Sequence, residues 1–201
     1  MKGNFKAFAA ILVAMTLVLV PMAASAHCDT MDGPTVADGY KAIESNNVNY
    51  ILKWVPPDDE QEMTDIFDLA MKVRELSPEA KELAEKYLFD SLVRMHRAAE
   101  GAPFTGVKPS GTPIDEKVMA ADEAIASGDL SKLEAMMEEE KLPELRERFD
   151  TVMLRKDFDV NDVGAGREYI EAYVMFFKYA EGEEDHLTHG SEDIHEATEA
   201  H

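Results

Sequence analysis

The feature that most constrains the fold is an internal repeat with an offset of 82 residues. Ala42-Ile43-Glu44-Ser45 aligns with Ala124-Ile125-Ala126-Ser127, and Phe67-Asp68-x-x-Met71 aligns with Phe149-Asp150-x-x-Met153. The offset holds over about 60 residues, although the identities between the two copies are few. We interpret the repeat as a duplicated unit of three to four helices. Coincidence between two amphipathic helical stretches is the alternative.

Apolar residues recur at helical spacing, and no segment shows the convincing alternation of a strand. The spacing predicts one helix over 64–76 and a second from Ser77, as N-cap, to about Ala99, because Ser-Pro is typical of a helix start. The core face predicted for the second helix consists of Leu83, Ala84, Tyr87, Leu88, Leu92 and Met95. The predicted fold is therefore all-α, a helical bundle of two duplicated units.

Three glycines and three prolines lie between the two copies, in the segment 101–114. Neither a helix nor a central strand accommodates that composition, so the segment is predicted to be a linker. The helical repeats then span 35–100 and 115–182.

The N-terminal residues have the pattern of a secretory signal peptide. Lys2 and Lys6 precede an apolar run at 8–20, and the small residues Ala23-Ala24-Ser25-Ala26 follow. The run is about 13 residues, shorter than the roughly 20 that span a bilayer. We therefore expect residues 1–26 to be cleaved, no stable membrane insertion after cleavage, and a mature protein that begins at His27 in the periplasm or outside the cell.

The chain is strongly acidic, with 41 acidic and 20 basic residues and a formal net charge of −21. The predicted signal peptide contains two lysines and no acid, so its removal makes the charge more negative. Such a charge repels polyanions, so nucleic acid and anionic membranes are not expected as partners. The hydrophobic content of 45% is enough for one compact core, so the acids are expected on a solvated surface.

The single cysteine, Cys28, follows the predicted cleavage site directly. It is a free thiol, a bridge between two chains or a metal ligand, and its position favours the last. Cleavage would free an α-amine on His27 that can chelate a metal together with the imidazole. The Cys28 thiolate and the intervening peptide nitrogen extend this donor set, which suits copper or nickel, with zinc as a further option.

The segment His27-Cys28-Asp29-Thr30-Met31-Asp32-Gly33 resembles the N-terminal hook of nickel superoxide dismutase in its His, first Cys, Asp and Gly. Asp32 stands where that hook has its second metal-binding cysteine. The resemblance therefore implies nickel binding by Cys28 and the His27 amine, but not superoxide dismutation.

A wider resemblance is to a family of exported bacterial proteins of unknown function. The shared features are the start His-Cys-Asp-Thr-x-Asp-Gly-Pro, the helix end Leu92-Val93-Arg94-Met95-His96-Arg97 and the linker Gly-Ala-Pro-x-Thr-Gly. This resemblance covers nearly the whole mature chain and implies a family without an activity.

Further candidate metal ligands lie along the chain. Asp29 and Asp32 could add oxygen ligands, although a turn at 32–34 that starts the first helix is the favoured interpretation for Asp32. His96 is the one histidine within the helical body, and it is either a ligand or a hydrogen-bonded packing residue. The acidic tail, 183–201, contains His186 and His189 at a spacing that one helical face would share, and it is predicted to be flexible.

The leading hypothesis is an exported metal-binding protein, a carrier, buffer or sensor for copper, nickel or zinc. The alternatives are a helical module whose acidic surface binds a protein partner, and a metal-dependent redox enzyme. The sequence contains no nucleophile with a plausible His-Asp set, no Gly-rich phosphate loop and no CxxC or CxxCH motif. An enzyme is therefore not the favoured interpretation.

Overall fold

The computed structural model describes residues 27–182, which form an all-α fold. The first half contains α1 (Pro34–Ser45), α2 (Asn49–Leu52), a 3-10 turn (Pro57–Asp59), α3 (Glu60–Val73) and α4 (Pro78–Ala99). The second half contains α5 (Glu116–Ser127), α6 (Ser131–Glu134), a 3-10 turn (Glu139–Lys141), α7 (Leu142–Arg155) and α8 (Val163–Glu181). Within 27–182, strand-like pairing is limited to an isolated parallel bridge between Thr30 and Lys108. The predicted signal peptide and the acidic tail lie outside the described residues.

The two halves have the same number and order of elements. The first four elements of the second half begin and end 82 residues after those of the first half. The loop before α8 spans 156–162, three residues more than the loop 74–77 before α4, and α8 is correspondingly three residues shorter. The packing also repeats, since α3 lies on α4 as α7 lies on α8, and α1 lies on α4 as α5 lies on α8.

The ends of α1 and α5 show how local sequence produces this repetition. Each helix is followed by a residue in the left-handed region, Asn46 with φ 50° and Gly128 with φ 78°, and these residue types adopt that conformation at the lowest cost. The hydroxyls of Ser45 and Ser127 each donate to the carbonyl four residues earlier, at 2.6 Å. The chain therefore leaves both helices in the same way.

The predicted start of α4 is confirmed, because the Ser77 hydroxyl accepts the Ala80 backbone N–H and Pro78 occupies the first turn. The helix before it begins at Glu60 and ends at Val73 rather than spanning 64–76. The exposed Leu76 therefore lies beyond its end.

The prediction of which residues of α4 face the core is confirmed in part. Four of the predicted residues are buried, namely Ala84, Leu88, Leu92 and Met95. The prediction was wrong for Leu83 and Tyr87, which are 67% and 52% exposed. Each precedes a buried residue by one position, a turn of about 100° around the helix, which points it away from α1 and α3.

One hydrophobic core joins the halves. Trp54 contacts the ring of Tyr173 at a centroid distance of 6.2 Å, with the two planes nearly perpendicular. Arg167 of α8 donates to the carbonyls of Leu52, the last residue of α2, and of Val55, which follows it. Across 27–182, no helix is long and apolar enough to cross a membrane.

Candidate metal centre

The N-terminal segment, residues 27–33, folds into a compact turn. The Thr30 hydroxyl donates to the His27 carbonyl at 3.2 Å, and the Gly33 N–H donates to the Thr30 carbonyl at 3.0 Å. A Cβ at position 33 would lie 2.1 Å from the His27 carbonyl oxygen, so the turn requires glycine. This turn leads directly into α1.

The linker holds the N-terminal segment in place through backbone pairing. The Met31 N–H donates to the Lys108 carbonyl at 2.9 Å, and the Lys108 N–H donates to the Asp29 carbonyl at 2.7 Å. The segment 101–114 is therefore part of the folded body as well as a connection between repeats. Its backbone fixes the direction in which residues 27–29 run.

Asp32 contributes a second anchor to the linker. Its carboxylate accepts the Ser110 hydroxyl at 2.7 and 2.8 Å and the Gly111 N–H at 2.7 Å. These hydrogen bonds lower the pKa of the Asp32 carboxyl. The helix N-cap is Gly33, with no side-chain hydrogen bond, so Asp32 joins the linker rather than capping α1.

The His27 imidazole lies between α5 and α8. Its Nε2 is 2.6 Å from Oδ2 of Asp122, a close contact whose angle falls short of a hydrogen bond, and its ring meets that of Phe177 edge-on. The Asp122 carboxylate also accepts the Tyr173 hydroxyl at 2.9 Å. His27 Nδ1 is buried with no hydrogen-bond partner among the described residues, and the side chain is only 11% exposed.

The thiol of Cys28 is not disulfide-bonded, and three carboxylates surround it. Burial raises its pKa, and the charges of Glu100, Asp29 and Asp122 raise it further. The Thr35 hydroxyl opposes the shift weakly. Unless a metal ion binds it, the thiol therefore stays protonated near neutral pH, which disfavours a nucleophilic or disulfide-forming role.

Glu100 is the centre of the charged contacts at the end of α4. It accepts Arg97 at 3.0 Å and lies 3.6 Å from the Lys178 ammonium. Arg97 also lies 3.6 Å from the buried carboxylate of Asp29. Burial raises the pKa of Asp29 to about 6, although Arg97 lowers it in part.

His96 is buried on the same end of α4. Its Nδ1 lies 3.2 Å from the Trp54 carbonyl, its ring is perpendicular to the Trp54 indole, and its Nε2 is 3.8 Å from Glu100. Burial lowers its pKa, so the imidazole is neutral near pH 7. Its contacts are those of a hydrogen-bonded packing residue that shares Glu100 with the N-terminal site.

A small cavity of about 30 Å³ opens beside His27 and Cys28, enough for one water molecule or ion. Its charged lining residues are Glu100, Glu181 and Lys178. With Asp29 and Asp122, this neighbourhood contains four carboxylates against three cations, Arg97, Lys178 and Lys108. The environment therefore favours added positive charge.

The candidate ligands separate into three groups. His27, Cys28 and Asp29 lie together, with His96 next to them through Glu100, whereas Asp32 binds the linker. The tail residues His186 and His189 are outside the described residues. Within 27–182, no three His, Cys, Asp or Glu side chains are arranged to hold a metal ion.

Sequence reasoning missed Glu100 and Asp122. Both are ordinary acids in a chain that has 41, and neither falls in a recognisable motif. Their placement depends on how the ends of α4 and α5 pack around the N-terminal segment. The duplication gives a weak signal for Lys178, which aligns with His96 and shares its contact with Glu100.

Comparison with known proteins gives one finding. A protein-family model described as "Family of unknown function (DUF6448)" matches residues 32–179. No curated protein and no solved structure matches the chain.

Proposed function

We propose that this chain, which belongs to the family of unknown function DUF6448 because the match covers most of its length, is an exported metal-binding protein. Its processed N terminus would bind one transition metal ion through the α-amine and Nδ1 of His27 and the thiolate of Cys28. Copper and nickel suit this nitrogen and sulfur donor set best, and zinc is the further option. The biological role that follows is a carrier, buffer or sensor of that metal.

The observation that carries the proposal is the orientation of the His27 imidazole. Nδ1 is the nitrogen that closes a chelate ring with the α-amine of the same residue, and it is buried with neither a hydrogen bond nor an ion pair to the described residues. The opposite nitrogen faces Asp122 at 2.6 Å. A carboxylate behind a metal-binding histidine fixes the ring and raises its basicity, and such partners accompany histidine ligands in most metal sites.

The surroundings of Cys28 support a cation at the same place. The carboxylates that raise the pKa of the thiol oppose a second negative charge, but they would stabilise a thiolate paired with a divalent or monovalent metal. Proton release from the thiol and the α-amine accompanies binding, so metal affinity should rise with pH.

Few side chains are needed for this site. The α-amine and the Cys28 peptide nitrogen belong to the backbone, and only His27 and Cys28 contribute side-chain ligands. The proposal therefore agrees with the lack of a three-side-chain cluster in 27–182. It requires cleavage after Ala26, because a continuing peptide chain would remove the amine.

The experiment uses protein secreted with its native leader, with cleavage before His27 checked by intact mass. Titration with copper, nickel and zinc should give one tight site and a sulfur-to-metal absorption band. Cys28→Ser should abolish the band and weaken affinity by orders of magnitude, since a serine hydroxyl does not ionise near neutral pH. Equal affinity of wild type and Cys28→Ser would overturn the proposal and leave a protein-interaction module as the better account.

Two variants serve as controls. His96→Gln should leave the band unchanged if the site is confined to the N-terminal segment. Truncation after Glu184 should also preserve it, while lowering total stoichiometry if His186 and His189 bind further metal weakly. Loss of the band in the truncated chain would show that the tail supplies ligands to the Cys28 site and contradict the proposed ligand set.

A further inference from the structure

A second cavity of about 560 Å³ lies between the two halves. Tyr173 lines it and also donates its hydroxyl to Asp122 in the N-terminal site. The remaining walls come from α1, from α2 and the residues after it, from the loop before α8, and from α8 itself. The charged and aromatic lining residues that matter most are Asp38, Lys41, Lys53, Trp54, Lys156 and Phe158.

The charge of this cavity is opposite to that of the whole chain. Three lysines line it, Lys41, Lys53 and Lys156, against a single carboxylate, Asp38. Elsewhere acids outnumber basic residues two to one. A local excess of two positive charges in a protein of net charge −21 attracts a small anion to this cavity.

The Asp38 carboxylate already has three partners among the neighbouring side chains. It accepts the Trp54 indole N–H at 2.9 Å, pairs with the buried Lys53 at 2.8 Å and accepts Lys41 at 2.9 Å. One carboxylate thus balances one of the two lysines that it contacts. Lys156 has no ion pair with any residue of 27–182, so its charge remains to be neutralised by an occupant or by solvent.

Aromatic rings form much of the remaining wall. Tyr50, Trp54, Phe158, Tyr169 and Tyr173 all face the cavity, and the Lys53 ammonium lies 5.1 Å from the centroid of Phe158. Aromatic surface with a few placed charges is typical of sites for small organic molecules. A planar group could stack on these rings while its acidic group meets the lysines.

The cavity lies where the two halves depart from the internal repeat. At the positions 82 residues after Asp38, Lys41 and Lys53, the second half has Ala120, Glu123 and Ala135, so it lacks this polar group. The loop 156–162, which is three residues longer than its counterpart, supplies Lys156, Phe158 and Val160. The departures from the repeat thus converge on one place.

We propose that this cavity binds a small organic anion, a carboxylate or phosphate attached to a planar ring. The acidic group contacts Lys156 and Lys41 at the mouth, and the ring lies against the aromatic wall that includes Phe158. The proposal is independent of the metal site, since none of these residues is among the proposed metal ligands.

Trp54 is the only tryptophan, so its fluorescence reports directly on the cavity. The probes are benzoate, its uncharged analogue benzamide, and acetate, which has the charge without the ring. Benzoate should bind about ten-fold more tightly than either, because charge-assisted hydrogen bonds need the carboxylate and stacking needs the ring. Phenyl phosphate distinguishes a phosphate from a carboxylate preference.

Lys156→Gln should weaken benzoate binding about three- to five-fold, the effect of one partly exposed ion pair. The matched control is Lys72→Gln, which removes the same charge from an exposed position outside the cavity. Phe158→Ala should also weaken binding. Equal affinity for benzoate and benzamide on the unmodified chain, or equal effects of the two lysine variants, would overturn the proposal. Cys28→Ser should bind benzoate normally, which separates this result from the metal titration.

Discussion

The imidazole of His27 lies 2.6 Å from the carboxylate of Asp122 and so joins the first described residue to α5 of the second half. The other oxygen of the Asp122 carboxylate accepts the hydroxyl of Tyr173, which lies on α8. The N-terminal segment is thereby attached to the bundle by its side chain as well as by the backbone pairing at Lys108. This attachment fixes which ring nitrogen of His27 is available to a ligand.

Asp122→Asn should therefore weaken metal binding about ten- to hundred-fold, as loss of the carboxylate behind a histidine ligand does in other metal sites. An amide preserves the shape but lowers the basicity of the ring. The measurement is competition titration of secreted, correctly processed protein. The control is Glu123→Gln, an adjacent exposed acid that pairs with Lys132. A matching loss of affinity in both variants would show that the effect comes from net charge.

Gly33→Ala should destabilise the fold by about 1–3 kcal/mol, because its Cβ would meet the His27 carbonyl oxygen at 2.1 Å. Gly164→Ala is the matched control. Its Cβ would lie 3.4 Å from Asp162 Oδ1, an ordinary contact, and alanine is the better helix former by up to about 1 kcal/mol. Urea unfolding of the two variants checks the contrast. Equal stability would mean that the N-terminal turn opens without cost.

His96 should make the protein less stable as the pH falls. Burial places its pKa below the usual value in the folded state, so the unfolded chain binds more protons at acid pH and stability is lost as the pH falls below about 6.5. The charges that face it are Glu100, which raises the pKa, and Arg97 and Lys178, which lower it. The His96→Gln variant should lose less unfolding free energy than the wild type as the pH falls.

The measurement is the unfolding free energy between pH 5 and pH 7.5 in the presence of a chelator. Asp29 titrates in the same range with the opposite sign, since its raised pKa costs stability as the pH rises. Its contribution is common to wild type and variant, so the difference between the two curves isolates His96. Parallel curves would contradict a buried, neutral imidazole.

The contact between Asp32 and the linker should stabilise the fold at neutral pH more than at acid pH. Hydrogen bonds from Ser110 and Gly111 lower its pKa, so its contribution to stability is present above the unfolded pKa and is lost as the pH falls through the folded one. Asp32→Ala should increase amide hydrogen exchange at Gly111, the N–H that this carboxylate accepts. Unchanged protection at Gly111 would mean that the backbone pairing at Lys108 suffices.

The sequence by itself determined the helical class and much of the order of the helices. Those depend on signals within a few residues, such as the spacing of Leu88, Leu92 and Met95, or the Ser77-Pro78 start of α4. The 82-residue repeat also predicted which helices of the two halves correspond. The helices α5, α6 and α7 begin and end 82 residues after α1, α2 and α3. Where periodicity was marginal, as at Leu83 and Tyr87, the choice of face was wrong.

Only the tertiary structure decided which charged groups meet. Asp122 contacts His27 from about 95 positions away, and Lys156 lines the same cavity as Lys41 from about 115 positions away, across the boundary between the halves. Such pairings depend on helix packing and on one three-residue difference in loop length, and no local pattern encodes them. The sequence could name His27 and Cys28 as candidate ligands, whereas the fold selected the carboxylates around them.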